Sequence, residues 1–309
     1  MSTRIGKNYR VLIAPETTYG VAASGSFTEL PDTIEFSQVV NAINVSAKTG
    51  TLQKQSFETL EGTSVANVTM NGNFSPSHSV VLDMAMFDTS SPRTIQSSQP
   101  TSSYSYTIYR VYTDDEKLDY VAGCTAESLN ITGNSGEVVQ YNLTLRGKSI
   151  TKEAASGSIT GLTLSSCAPG VEPFLFANVT ADMLDTNITA INSFDLGLVN
   201  GFQGDAEIYQ NSSTKNLEIL TSVDATLNFS WNYDKDNDAE VYDNLLSTSL
   251  VDNDINLVAT SGTFAIKTNG KYTEYTVPDP DNGVFVSSAV VEILSDCDNS
   301  TEGLTITTS

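Results

Sequence analysis

Apolar and polar residues alternate with a period of two along most of this chain, the spacing that puts one face of a strand into a core and the other into water. Over 65–75, Val68, Met70 and Phe74 share a face with Gly72, while Asn67, Thr69, Asn71 and Asn73 take the other. Over 137–147, Val139, Tyr141, Leu143 and Leu145 oppose Gln140, Asn142, Thr144 and Arg146. Over 223–231, Val223, Ala225, Leu227, Phe229 and Trp231 point inward, and Asp224, Thr226, Asn228 and Ser230 outward. Looser alternation over 33–46 (Ile34, Phe36, Val39, Ile43, Val45) and a short run from Tyr9 to Ala14 predict two more strands. Others are expected at 104–112, 120–132, 255–259, 262–268, 271–277, 284–294 and 303–308.

Two segments change period. After Ser75-Pro76-Ser77, where Pro suits a first helical turn and Ser a cap, Val80, Val81, Met84 and Phe87 recur at helical spacing. A second helix is predicted over about 238–247, with Val241, Tyr242 and Leu245 on one side. Each helix follows a strand, so 67–86 and 224–246 read as two copies of one strand–turn–helix unit. Residues 191–199 match 34–45 loosely, the polar excursion 200–221 matches 47–63, and 141–145 align with 302–306. The Gly- and Ser-rich stretch within 152–170 is the natural boundary. The expected fold is mainly β, a β-sandwich or barrel with one short flanking helix per domain. The expected division is a first domain over 1–155, a linker over 156–170 and a second domain over 171–309.

Composition narrows the classes. Of 309 residues 39% are apolar, enough to bury cores, and 17% are charged. No apolar run reaches the length of a membrane helix, and the first twenty residues lack the apolar centre of a signal peptide, so folding in a cytoplasm is expected. The net charge of −22 splits into −4 for residues 1–150 and −18 for 151–309. Such a surface repels nucleic acid instead of gripping its phosphates. Cys124, Cys167 and Cys297 form neither a disulfide framework nor a metal pattern.

Candidate chemistry is thin. His78 is the one histidine; it falls in the first turn of a helix and is expected to be a solvated turn residue, with no local signature of a nucleophile–histidine–acid array around it. Catalysis is not expected, and nothing in the chain asks for a cofactor. Asp234, Asp236 and Asp238 alternate like the start of a calcium loop, but Ala239 stands where that loop needs Gly and Leu245 where it needs a bidentate Glu. The simpler expectation is that they cap and begin a helix; any metal there would be held weakly. Tyr104, Tyr106, Tyr109 and Tyr112 have the spacing of a stacking platform, and equally of a strand core.

On these residues the chain resembles the tail tube (major tail) proteins of phages with long, non-contractile tails. The resemblance lies in the run Ala14-Pro15-Glu16-Thr17-Thr18-Tyr19-Gly20, in the charged loop 47–63 and in the strand–helix unit 65–87. It also lies in the strand pair 123–131 and 138–147. It covers most of residues 1–150 and, more weakly, 175–309. It implies a virion tail protein, assembled in the host cytoplasm, whose rings stack into a tube that DNA passes through. The implied partners are further copies of itself, the tape measure, terminator and distal tail proteins and passing DNA, with no membrane. Members with one domain per chain form hexameric rings. Two domains per chain then imply three chains, with a hexamer of chains as the runner-up. Asn67, Thr69, Asn71, Asn73, Asp224, Thr226, Asn228 and Ser230 would face the channel, and Lys48, Lys54, Glu58 and Glu61 would meet the next ring. The alternatives are a two-domain β-sandwich adhesin or carbohydrate binder, and a distal or terminator ring component.

Overall fold

The computed structural model describes residues 9–44, 59–95, 104–113, 117–162, 172–184, 188–202, 219–247, 249–276, 285–295 and 302–308. The first half holds β1 (Tyr9–Pro15), β2 (Thr28–Leu30), β3 (Thr33–Asn44), β4 (Thr59–Asn73), α1 (Ser79–Met86), β5 (Arg93–Thr94), β6 (Tyr106–Tyr112), β7 (Lys117–Asn134), β8 (Gln140–Gly147) and β9 (Ser149–Ala155). The second holds β10 (Thr180–Asp182), β11 (Ile191–Phe202), β12 (Leu220–Asn232), α2 (Lys235–Leu245), β13 (Val251–Ala259), β14 (Gly262–Thr276), β15 (Val286–Ile293) and β16 (Leu304–Thr308). The fold is mainly β, and every paired strand is antiparallel.

Strand order repeats between the halves. The upper part of β7 pairs with β6 on one side, which continues to β1 and β2, and with β9 on the other. Its lower part pairs with β8, then β4, then β3. In the second half β14 takes the place of β7: its upper part lies between β13, with β10 beyond, and β16. Its lower part pairs with β15, then β12, then β11. A strand that changes neighbours midway must bend, and each of the two carries a register shift at that point, between Ala126 and Ser128 in β7 and between Tyr272 and Glu274 in β14. By this order β15, not β16, is the counterpart of β8, so the expected alignment of 141–145 with 302–306 is corrected; β16 is the counterpart of β9.

The separate strands expected at 262–268 and 271–277 are one strand. At Gly270 the backbone of β15 approaches closely, because a Cβ there would run into the Glu292 carbonyl oxygen. The expected inward faces form as read: Val68, Met70 and Phe74, Tyr141, Leu143 and Leu145, and Leu227, Phe229 and Trp231 are all buried. Both helices form close to their expected bounds. Asp234 caps α2, its Oδ1 accepting from the Asp236 and Asn237 amides at 3.0 and 3.2 Å. Only Val241 of the expected α2 side is fully buried; Leu245 packs against the core edge and Tyr242 is exposed.

The halves meet along the lower edges of β7 and β11, in unbroken register from Ser193 opposite Asn134 to Val199 opposite Ser128. One apolar core runs through both. Asn200, 3% exposed, fastens the joint: its Nδ2 donates to the carbonyls of Ala85 at the end of α1 and Ala126 at the β7 bulge, both at 3.0 Å. Beside it, Phe87 packs edge-on against Phe202 with ring centroids 6.2 Å apart. Asn200→Ala removes both bonds and strands two buried carbonyls, so a loss of about 2–3 kcal/mol is expected in urea unfolding.

A second fastening holds the first loop. Glu16, 7% exposed, accepts four hydrogen bonds: from the Gly20 amide (2.8 Å), the Gly123 amide (2.7 Å), Ser105 Oγ (2.7 Å) and Thr107 Oγ1 (2.7 Å). Gly123 has φ +71°, and a Cβ there would press on the Tyr19 ring at 3.0 Å. Tyr109 closes the loop by donating to the Ala23 carbonyl at 2.5 Å, and burial pushes its phenol up to about 12.

Candidate assembly surfaces

The polar positions of β4 and β12 fall on one face of a continuous eight-stranded run, β3–β4–β8–β7–β11–β12–β15–β14. Registers link them row by row. One row reads Thr33, Asn71, Asn142, Asn130, Gly197, Thr226, Glu292, Lys271. The next runs from Asn73 through Gln140, Thr132, Asp195 and Asn228 to Val290. All eight residues expected to face a channel lie here. Asn71, Asn73, Asp224 and Thr226 are exposed; Asn67, Thr69, Asn228 and Ser230 are half-buried among neighbouring side chains. Ser230 Oγ is 2.6 Å from Ser193 Oγ.

The structure adds Asn142, already read as outward over 137–147, and Asn130 and Asp195, which alternation alone could have supplied had 120–132 and 191–199 been read for their outward faces. Burial raises the Asp195 carboxyl above the ordinary carboxylate range, against a hydrogen bond from Asn130 that lowers it. Short amides and hydroxyls dominate the face, and its charges include Asp195, Asp224 and the opposed pair Glu292 and Lys271.

Other expected residues fall elsewhere. Lys48, Lys54 and Glu58 lie outside the described residues. Glu61 belongs to β4, opposite Ala42, so the end of the expected loop 47–63 is strand. Asp234, Asp236 and Asp238 do not converge. Asp234 caps the helix, and Asp238 turns inward, where Oδ2 accepts from Trp231 Nε1 (3.2 Å) and the Asp234 amide (3.0 Å). Its Oδ1 accepts from Tyr275 and Ser287 hydroxyls. The described residues hold no cluster of three or more His, Cys, Asp or Glu side chains placed to bind a metal.

His78 is not a solvated turn residue. It is fully buried, with Nε2 donating to Asp32 Oδ2 at 3.0 Å, where Tyr141 also donates at 2.6 Å. Nδ1 accepts from the Ser75 amide at 3.1 Å and lies 2.7 Å from Ser75 Oγ. The polar shell that hides it is sequence-distant: Asp32 and Tyr141 come from other elements. Ser75 is itself 2% exposed, so this serine, histidine and aspartate tie the α1 cap to the core and present nothing to a substrate. Of the tyrosines, Tyr106 and Tyr109 are core residues.

Acid strength follows from similar contacts at Asp119 on β7. Burial pushes this carboxyl up, but the Arg110 guanidinium (2.7 Å), the Glu153 amide (2.9 Å) and Tyr112 OH (2.7 Å) outweigh it, and the net shift is down. A depressed folded value means stability is in place above the ordinary Asp value of about 4 and drains away as pH falls through the lower folded value. Urea midpoints from about pH 5 to about pH 2 should show that loss, and Asp119→Asn should remove its share of the slope.

Two edges of the eight-stranded run have no strand partner among the described residues: the side of β3 away from β4, and the side of lower β14 away from β15. Positions on them can be compared with the joined edges. Register places Gln38 and Val40 of β3 where β11 has Leu198 and Asn200. The β11 residues are buried; Gln38 and Val40 are exposed. Counting from the helix caps, Leu246 holds the place of Phe87, and is 71% exposed where Phe87 is 3% exposed.

The described residues thus form a mainly β chain with a long polar sheet face and two sheet edges that lack strand partners. Residues 6–293 match the family described as phage tail tube protein, a span that runs through both halves, and the chain belongs to that family. No curated protein matches the chain. No helix among the described residues is long and apolar enough to cross a membrane.

Proposed function

We propose that this chain is a ring-forming subunit of the tail tube, closing in threes, with rings stacked into the conduit through which DNA leaves the virion. The supporting observation is the β7–β11 joint. The operation that carries the first half onto the second, applied once more, brings β3 of a following chain to the free edge of β14. The β7–β11 register then translates into Val39 opposite Glu274, Gln38 opposite Tyr275 and Ser37 opposite Thr276 of the neighbour. A head-to-tail contact of this kind closes into a ring when its rotation divides a full turn. It also covers two sheet edges that would otherwise invite aggregation.

On this reading residues 1–155 and 171–309 are two tail-tube domains, joined through 156–170. Three chains supply six domains, and a hexamer of chains is the runner-up. The polar face lines the channel: mostly short, uncharged side chains with a faintly acidic balance, and without clustered Lys or Arg, offer DNA no counterion release and let it slide. The loop 47–63, with Lys48, Lys54, Glu58 and Glu61, is the proposed contact between rings, and tape measure, terminator and distal tail proteins are the proposed partners at the ends. The protein assembles in the host cytoplasm and performs no catalysis. Native mass measurement of assembled protein tests the count: at 33.1 kDa per chain a ring of three weighs about 99 kDa. Six copies would overturn the trimer; a stable monomer that forms neither rings nor tubes at high concentration would overturn the whole reading.

A further inference from the structure

Among the described residues, one break in the repeat between the halves lies at the lower end of the sheet. In the first half, residues 174–176 lie across the lower end of the sheet. The Phe174 amide donates to the Phe74 carbonyl (2.9 Å), the Val139 amide donates to the Phe174 carbonyl (2.8 Å), and the Phe74 amide donates to the Val139 carbonyl (2.8 Å). Phe174 is thereby buried in a ring cluster with Phe74 and Phe264, at centroid distances of 5.8 and 5.2 Å. The segment comes from the stretch just before β10, so it belongs to the chain of the second half while covering the first.

Among the described residues the second half has the receiving surface and no such cover. Tyr233 and Phe285 are the counterparts of Phe74 and Val139, and the same bond links them: the Tyr233 amide donates to the Phe285 carbonyl at 2.9 Å. Among the described residues nothing meets the Tyr233 carbonyl or the Phe285 amide. Tyr233, Phe285 and Val286 are 46%, 42% and 44% exposed, where Phe74 and Val139 are fully buried. An aromatic patch with one open donor and one open acceptor is a built half-site for an extended segment.

We propose that the segment Thr3–Lys7 of an adjacent copy fills it, with Ile5 in the place of Phe174. Three observations select this occupant. The strand β1 is the counterpart of β10, and Phe174 precedes β10 by six residues, so the equivalent stretch is the short segment just before Tyr9. Ile5 is also the one large apolar residue between Met1 and Tyr9. Arg4 and Lys7 flank it, and Tyr233 of the patch directly precedes the Asp234 cap of α2, a segment that carries Asp236, Glu240 and Asp243, besides the buried Asp238, and a single lysine, Lys235. The Ile5 amide would donate to the Tyr233 carbonyl, and the Phe285 amide to the Ile5 carbonyl. The inference rests on the ring reading above, since only that arrangement brings β1 of a following chain beside β12.

Paired cysteines separate the two. In a background with Cys167→Ser and Cys297→Ser, one variant carries Ile5→Cys and Tyr233→Cys; the other carries Val39→Cys and Glu274→Cys, the proposed β3–β14 contact. Concentrated, assembled protein is oxidised and run on non-reducing gels. Both pairs are expected to link chains into a ladder ending at three. If the Val39–Glu274 pair links chains while the Ile5–Tyr233 pair gives only monomer, linked within one chain or unlinked, the arm docking is wrong and the ring reading stands. If neither pair links chains, both fail.

Discussion

Glu16→Gln is expected to lower folding stability by about 3–5 kcal/mol, the range for breaking a buried, fully bonded charge. The carboxylate accepts from two amides and two hydroxyls, and these four donors come from three separate stretches of chain, around Gly20, Ser105–Thr107 and Gly123. An amide in its place turns an NH2 group toward donors that have no alternative acceptor in so buried a site. The loop from Glu16 to Ala23 would lose its anchor, and with it the Ala23 contacts to Thr107 and Tyr109. Urea unfolding followed by circular dichroism measures the loss. Lys117→Ala is the control, since its pair with Glu153 at 3.3 Å is exposed and should be worth less than about 1 kcal/mol. A Gln variant within that same margin of the parent would show that the four bonds hold nothing.

The case also marks what a single sequence reveals. Glu16 stood in a run noticed for its resemblance, but three of its four partners lie 89 to 107 residues away, and no local pattern announces them. The same holds for His78, where the local signal of a polar helix start outweighed contacts from Asp32 and Tyr141 that only the fold supplies. Alternation, by contrast, is a local signal, and it placed β4, β8 and β12 with their correct faces. It failed where a strand changes partners: Gly270 looked like a break because the sequence records a missing side chain and not the Glu292 backbone that requires it. The polar face was half legible for the same reason. Its β4 and β12 rows follow from period two, but the joining of β7 to β11, which makes one wall of two halves, is a long-range pairing.

That joining leads to the sharpest contrast in the molecule. Phe87 and Leu246 occupy the same place after their helices, one buried against Phe202 and the other 71% exposed. Phe87→Asp should therefore act on folding, at about 3–5 kcal/mol, since the core loses a ring and gains a charge. Leu246→Asp should leave the unfolding midpoint of the isolated chain within about 0.5 kcal/mol of the parent, as surface changes do. Its effect should fall on assembly instead. If the following chain's β3 covers Leu246 as β11 covers Phe87, burial of the leucine contributes about 1.5–3 kcal/mol per contact, and an aspartate there is an unpaired buried charge on top of that. A penalty of about 3 kcal/mol or more is over a hundredfold in each association constant, and a ring must form every contact to close. Sedimentation at concentrations where the parent is fully assembled should then find Leu246→Asp as a folded monomer. Val258→Asp, another exposed apolar position but on β13, away from the free edges of β3 and β14, should still assemble. Rings of normal mass from Leu246→Asp would mean that α2 faces solvent in the assembled state, and the internal joint would no longer serve as a guide to the contact between chains.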